Sequence, residues 1–294
     1  MSDWSTPPDA LSRRAEVDDR LEGAEGLVLG LDFDGTLAPI VDDHTEAALD
    51  PAVRGPLDRL AERPGVAVAL VSGRALSDLA GRVRLDGAVY AGNHGLELGH
   101  DDEVTVHPAA VGLRREVDRL CAELDAALAD VPGYAVENKG VTATVHFRAA
   151  PEGSVPRVVE TVERLAGGVD GLRVTEGKAI RELRPAVEWD KGRVMELLAG
   201  TVPGGWLTVY LGDDTTDEDA FRAIQPEGIG VRVGSTTDDP VDTDAAYRLD
   251  DRTAVPRFLE WLDAKAPRRD TAGAPGWPGD DPLSHPDLGG STGS

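Results

Sequence analysis

The 294-residue sequence predicts a doubly wound α/β fold, a parallel sheet wrapped by helices, interrupted by a smaller inserted α+β unit. Three observations carry that expectation. Short apolar runs end abruptly in Gly, Ser or Asp, as central strands buried on both faces do. Amphipathic helical stretches separate several of these runs, the strand–helix alternation of a parallel sheet. Between residues 109 and 184 the pattern changes to a helix followed by two strands, twice over, with strict alternation in one strand.

Each element follows from its residues. Residues 1–24 are polar, lack a sustained apolar period and read as a disordered arm. Gly26 to Phe33 (GLVLGLDF) is the first buried strand and runs into Asp-Gly. Val53, Leu57, Leu60 and Ala61 mark a helix, and Val66 to Val71 (VAVALV) a second strand ending in Ser-Gly. Leu76, Leu79, Ala80 and Val83 mark another helix before Ala88 to Ala91, which ends in Gly-Asn. Val117, Leu120, Cys121, Leu124 and Leu128 open the inserted unit as an amphipathic helix. Val141, Ala143, Val145 and Phe147 then alternate with Thr142, Thr144, His146 and Arg148, a half-buried antiparallel strand after an Asn138-Lys139-Gly140 turn. A second helix carries Val155, Val158, Val159, Val162 and Leu165. A strand pair turns at Glu176-Gly177-Lys178, with Lys178, Glu182 and Arg184 at one parity. The helices of this unit are expected to cover one sheet face and leave the charged face free. Val194, Leu197 and Leu198 lie on a helix opened by Trp189-Asp190-Lys191-Gly192. Leu207 to Leu211 ends in Gly-Asp-Asp, and Ile229 to Val233 ends in Gly. The main domain is thus expected over 25–108 and 185–265, the inserted unit over 109–184, and a disordered Pro/Gly/Ser/Asp-rich tail over 266–294.

Charge narrows the partners. A formal net charge of −24, from 30 Lys+Arg against 54 Asp+Glu, argues against nucleic acid or an anionic membrane as the main partner. Apolar residues at 40% argue against global disorder. No apolar run approaches the ~20 residues of a membrane span, and Met1 to Arg14 has no signal-peptide core. The lone cysteine, Cys121, has no internal partner, which suits a reducing compartment. The expectation is a cytoplasmic protein whose composition names no protein partner. Only four lysines occur, Lys139, Lys178, Lys191 and Lys265, so the place of each is informative.

In doubly wound sheets ligands bind outside the carboxyl ends of the strands, where the polar clusters should converge. Asp32-Phe33-Asp34-Gly35-Thr36-Leu37 is the strongest signal. Carboxylates two residues apart at a strand's end point into the same space, and Gly35 lets the chain turn sharply. One carboxylate can attack phosphorus and form an aspartyl-phosphate; the other can protonate the leaving alkoxide and then activate water. Ser72-Gly73-Arg74 opens a helix, where a hydroxyl and free backbone N–H groups can hold phosphate or simply cap the helix. Asp213, at the strand end of Gly212-Asp213-Asp214-Thr215-Thr216-Asp217-Glu218-Asp219, suits Mg²⁺, which takes one or two carboxylates plus waters. Thr215 and Glu218 fit a capping box, so Asp217, Glu218 and Asp219 read mainly as helix-start acids. Lys191 can place a point charge on a phosphate oxygen or on the nucleophile. His94 is open between a base, a metal ligand and a hydrogen-bonded structural residue.

Asp32/Asp34, Ser72, Lys191 and Asp213, in that order, resemble the haloacid-dehalogenase superfamily of aspartate-nucleophile phosphatases, with the insertion where that superfamily carries a C2 cap. Finer motifs resemble trehalose-6-phosphate phosphatases: SGR at 72–74, GNHGLE at 92–97, Glu137 with Lys139, HFR at 146–148, GKAIRELRP at 177–185 and GDDTTDED at 212–219. The resemblance covers roughly residues 26–262. It implies Mg²⁺-dependent hydrolysis of trehalose 6-phosphate, in trehalose biosynthesis, on a small-molecule sugar phosphate. It assigns Asp32, Asp34 and Lys191 to catalysis, and Ser72, Gly73 and Lys191 to the phosphoryl oxygens. The metal would sit on Asp32, Asp34, Asp213 and Asp214. Substrate contacts would come from Arg74, Asn93, His94, Glu137, Lys139, Arg148, Lys178 and Glu182.

Three alternatives share parts of this pattern: a phosphatase for another sugar phosphate (sucrose phosphate, mannosylglycerate phosphate), a phosphomutase of the same superfamily, and a receiver-like signalling module phosphorylated on a strand-end Asp. The cap motifs favour trehalose. The acid at position 34 and the insertion disfavour the receiver, which needs neither a leaving-group acid nor a sugar-binding cap.

Overall fold

The computed structural model describes residues 6–41, 43–234 and 242–268. They form two compact units, one of residues up to 105 together with those from 189 on, the other of residues 106–188. The first unit opens with α1 (Arg14–Glu22) and then alternates strand and helix: β1 (Gly26–Leu31), α2 (Pro51–Ala61), β2 (Val66–Val71), α3 (Leu76–Val83) and β3 (Val89–Gly92). Two short strands follow, β4 (Glu97–His100) and β5 (Glu103–Val106). The second unit contains α4 (Pro108–Leu128), β6 (Ala135–Asn138), β7 (Ala143–His146), α5 (Val155–Ala166), β8 (Leu172–Gly177) and β9 (Ile180–Pro185). The chain then completes the first unit with α6 (Lys191–Thr201), β10 (Trp206–Gly212), α7 (Glu218–Ala223), β11 (Ile229–Val233), β12 (Tyr247–Leu249) and α8 (Val255–Lys265).

The sheet of the first unit has the order β12-β11-β10-β1-β2-β3-β4-β5. Six strands, from β12 to β3, pair in parallel, and β4 pairs antiparallel with β3 through the Asn93–Gly95 turn. Alternation along β1 puts helices on both faces. Leu27, Leu29 and Leu31 join Leu57 and Leu60 of α2 and Phe258, Leu259 and Leu262 of α8 in one apolar core. Gly30 points the other way, against Met195 of α6 and Tyr210. Asp263 of α8 accepts from Arg59 Nε of α2 at 2.6 Å and also pairs with Arg63, fixing the outer helices.

The expected disordered arm is corrected over its described part. α1 folds onto the core, with Val17 and Leu21 buried beside Ala10. The chain before it bonds to β12, Ala10 N donating to Arg248 O at 2.8 Å and Arg248 N to Pro8 O at 3.0 Å. Two buried residues one turn apart in a mostly charged helix are too short a period to read from sequence. The expected tail is corrected at its start, where Ala266 packs into the same core; its remainder, from 269, lies outside the described residues.

In the second unit the sheet order is β6-β7-β9-β8, every neighbour antiparallel. Ala143, Val145 and Leu183 face α4 and α5 in a core with Val117, Leu120, Leu124, Leu128, Val158 and Val162. The opposite face carries Glu137, Thr144, His146, Glu182 and Arg184. Among the described residues no helix is long and apolar enough to cross a membrane.

Candidate active site

Strand ends of the first unit bring Asp32, Lys191, Asp213 and Asp217 together. Asp32 directly follows β1, and its backbone N–H donates to Leu211 O at 2.9 Å, so the β1 and β10 ends stay level. The next turn is closed by Gly35 N donating to Ala38 O at 2.8 Å. Gly35 is required here: its φ is +88°, and a Cβ would lie 2.1 Å from Asp213 Oδ2. α6 begins at Lys191 behind its N-cap Asp190, which accepts from Arg193 N at 3.0 Å. The buried Lys191 ammonium donates to Asp32 Oδ1 and to Asp217 Oδ1, at 2.7 Å each.

Asp217 is fully buried and saturated. Its Oδ1 also accepts from Tyr210 Oη at 2.7 Å, and its Oδ2 from the backbone N–H of Asp213 at 3.0 Å and of Asp214 at 2.9 Å. It therefore fixes both the lysine and the start of the Asp213 turn. Sequence reasoning took Asp217 for a helix-start acid, and placed the capping box on Thr215 and Glu218. The box lies one residue earlier, on Asp214 and Asp217. Asp214 is the exposed N-cap, its Oδ1 accepting from Thr215 N at 2.6 Å, and it does not join the acidic cluster. The i,i+4 spacing of Asp213 and Asp217 after a buried strand was the signal that could have found the latter.

The charge at this centre is unbalanced. Burial pushes the Asp32 carboxyl well above the usual range; Lys191 offsets part of this, while Asp217 and Asp213 add to it. Burial, with Asp217 next, pushes Asp213 up to about 7. Burial would lower Lys191, but Asp217 and Asp32 outweigh it and hold the ammonium charged. One oxygen from each of Asp32, Asp213 and Asp217 lies within 4.8 Å of the others. A cluster of hard oxygen donors with one ammonium for three carboxylates fits a small divalent cation. Because Asp217 is taken up by four donors, Asp32 and Asp213 are the carboxylates left to hold one.

Asp34 is gripped by Arg74. Nε and Nη2 of the guanidinium donate to its two oxygens, at 2.6 Å each, while Nη1 donates to Asp78 at 2.8 Å and the group lies over the Phe33 ring. Ser72 is buried and accepts from Arg74 N at 3.2 Å. It does not cap a helix, because α3 starts only at Leu76. The first N–H of α3, on Leu76, instead donates to Glu97 at 3.3 Å, and Glu97 also accepts from Asn93 Nδ2 at 2.7 Å. Asn93 N donates to Arg74 O and His94 N to Ser72 O, so the 72–74 and 93–95 loops are knitted together. Gly73 lets the His94 ring approach; a Cβ there would lie 2.6 Å from its Nε2.

In the second unit, Lys139 donates to Glu182 at 3.2 Å, and Glu137 lies 2.9 Å from His146 Nε2. These four come together on one side of the sheet. Lys178 sits exposed in the β8–β9 turn and Arg148 exposed beyond the end of β7, so strand parity does not place either on that face. The alternation places His146 on the polar face of its strand, and the register set by the 138–140 turn puts it beside Glu137.

A parallel sheet with an inserted α+β unit, a strand-end Asp32-x-Asp34 pair, a buried lysine and an acidic turn define a haloacid-dehalogenase-like protein with a cap. Within that class the chain belongs to the trehalose-phosphatase family, whose profile matches residues 30–253. A trehalose-phosphate phosphatase of Mycobacterium tuberculosis is 39% identical over 264 residues, covering 85% of this chain and 66% of its own length. A second M. tuberculosis protein, described as an uncharacterized glycosyl hydrolase, is 37% identical over 265 residues, covering 88% of this chain and 20% of its own. The chain thus spans from a fifth to just under two-thirds of the length of these curated relatives. The Candida albicans trehalose-6-phosphate phosphatase C-terminal domain superposes with a TM-score of 0.71 at 23% identity, over 90% of this chain and 99% of that one, a likeness of fold.

Proposed function

We propose that this chain hydrolyses trehalose 6-phosphate to trehalose and phosphate through an aspartyl-phosphate on Asp32. The observation that carries the reading is that a single family match, residues 30–253, runs through both the Asp32 turn and the whole inserted unit. A match that spans both supports assigning the chemistry and the sugar recognition to the same chain. The name of the M. tuberculosis relative supports the same substrate.

In this reading Asp32 attacks phosphorus, the bond from phosphorus to the sugar oxygen breaks, and Asp34 gives the leaving alkoxide its proton. Asp34, now a carboxylate, takes a proton from the water that attacks the phospho-aspartate, releasing phosphate and regenerating the Asp32 carboxylate and the Asp34 acid. Arg74 orients Asp34 for both steps, since its guanidinium grips both carboxylate oxygens. Lys191 keeps Asp32 aimed, and Ser72 with the 72–74 backbone receives phosphoryl oxygens. Asp32 and Asp213 would hold Mg²⁺, which when bound offsets the charge between carboxylates and a phosphate dianion. Glu137, Lys139 and Glu182, with Lys178 and Arg148, would read the sugar hydroxyls.

Acid quenching during turnover, followed by peptide mass analysis, tests the chemistry. A phosphate adduct on the Asp32 peptide, absent from Asp32→Asn, is expected; turnover retained by Asp32→Asn overturns it. For recognition, Glu182→Ala should lose activity on trehalose 6-phosphate and keep it on p-nitrophenyl phosphate. Equal loss on both would remove the sugar-reading role.

A further inference from the structure

The polar face of the cap sheet carries four residues in cross-strand register: Glu137 on β6, Thr144 on β7, Glu182 on β9 and Thr175 on β8. Directly opposed residues share a face. Carboxylate and hydroxyl therefore alternate along one row across the sheet. Both carboxylates already have a nitrogen partner, His146 Nε2 beside Glu137 and the Lys139 ammonium beside Glu182.

Thr144, between them, is different. It is 2% exposed, and its Oγ1 is buried without a hydrogen-bond partner among the described residues. Desolvating a hydroxyl and leaving it unpaired is unfavourable, and valine has the same shape without that cost. Packing therefore gives no reason for threonine here. Its place, flanked by two carboxylates on the face turned away from the apolar core, gives one. The row contains no cation of its own, so it is not built for a phosphate. Carboxylates accept from sugar O–H groups, and a hydroxyl both donates and accepts; a polyol matches that alternation.

We propose that the Thr144 hydroxyl is a specificity-determining group that bonds a sugar hydroxyl of the substrate, between hydroxyls taken by Glu137 and Glu182. The proposal rests on the sugar-phosphatase reading above. Because Oγ1 is out of contact with solvent in the free protein, the sugar reaches it as the flanking carboxylates exchange their nitrogen partners for sugar hydroxyls.

Thr144→Val and Thr144→Ser decide it, assayed on trehalose 6-phosphate and p-nitrophenyl phosphate and followed by thermal unfolding. Thr144→Val should raise KM for the sugar phosphate about 3–10-fold, the worth of one neutral hydrogen bond. Its kcat and its turnover of p-nitrophenyl phosphate should be unchanged, and its Tm no lower than wild type. Thr144→Ser should restore KM. An unchanged KM in Thr144→Val, or a lowered Tm with both substrates impaired together, overturns the proposal. Wild-type enzyme inactive on trehalose 6-phosphate would instead overturn the trehalose reading. The same KM comparison on whichever sugar phosphate the wild type prefers then decides Thr144 separately.

Discussion

Arg74 holds Asp34 through both carboxylate oxygens, each 2.6 Å from a guanidinium nitrogen. Arg74 is itself buried and braced by Asp78, whereas the Asp34 side chain is 38% exposed. The arginine expected to touch substrate therefore acts, in this geometry, as a positioning residue for the acid. Arg74→Lys keeps the charge and loses the fork. The kcat/KM for trehalose 6-phosphate, which reports phospho-aspartate formation, should fall on the order of 10²-fold, the scale of general-acid catalysis. p-Nitrophenyl phosphate, with a leaving group that needs no proton, should lose only a few-fold. Equal losses on the two esters would show that Arg74 does not act through Asp34.

Asp214 and Asp217, three residues apart, should behave oppositely. Asp214→Asn keeps a good N-cap on an exposed residue and should change stability by under ~0.5 kcal/mol and activity little. Asp217→Asn removes one of the two carboxylates holding a buried ammonium, a change on the order of 3 kcal/mol, and should nearly abolish turnover. Urea unfolding and phosphate release measure both. An active, fully stable Asp217→Asn would contradict the bracket built on Lys191.

The acidic centre links metal, pH and stability. Asp213, raised to about 7 from 3.8, favours its protonated form in the fold. Its contribution is present below the ordinary carboxylate range and is lost as pH rises from about 4 to about 7. Thermal unfolding in a chelator should show that loss. Added Mg²⁺ should raise Tm more at pH 8 than at pH 5, and the difference should shrink in Asp213→Asn. A gain independent of pH would place the ion elsewhere.

The N-terminal helix makes a stability prediction. Leu21 is buried in the main core. Leu21→Ala should cost about 2–4 kcal/mol, as a core truncation does, whereas an arm would tolerate it. Denaturant midpoints distinguish the two.

Legibility followed the physics of each element. β1, β2, β10 and β11 announced themselves because a strand buried on both faces is a continuous apolar run. α1, β4, β5 and β12 did not: they are short and partly exposed, and tertiary packing decides them. In the site, Asp32 and Lys191 could be read from strand ends and helix starts. Asp217 could not, because a helix-start acid and a buried bracket have the same local sequence. The Arg74–Asp34 grip joins residues forty positions apart and exists only once β1 and β2 lie side by side. On the cap sheet, Thr144 looked like a solvent-facing position of an alternating strand, but the neighbours on that face bury it.

Phosphate release by the wild-type chain with Mg²⁺, on trehalose 6-phosphate beside sucrose, glucose and mannose phosphates, is the most direct measurement. A site whose buried polar groups match one set of hydroxyls rejects analogues strongly, so kcat/KM for trehalose 6-phosphate should exceed the others by at least about 10²-fold. Comparable or faster release from any of the other three would contradict the trehalose assignment.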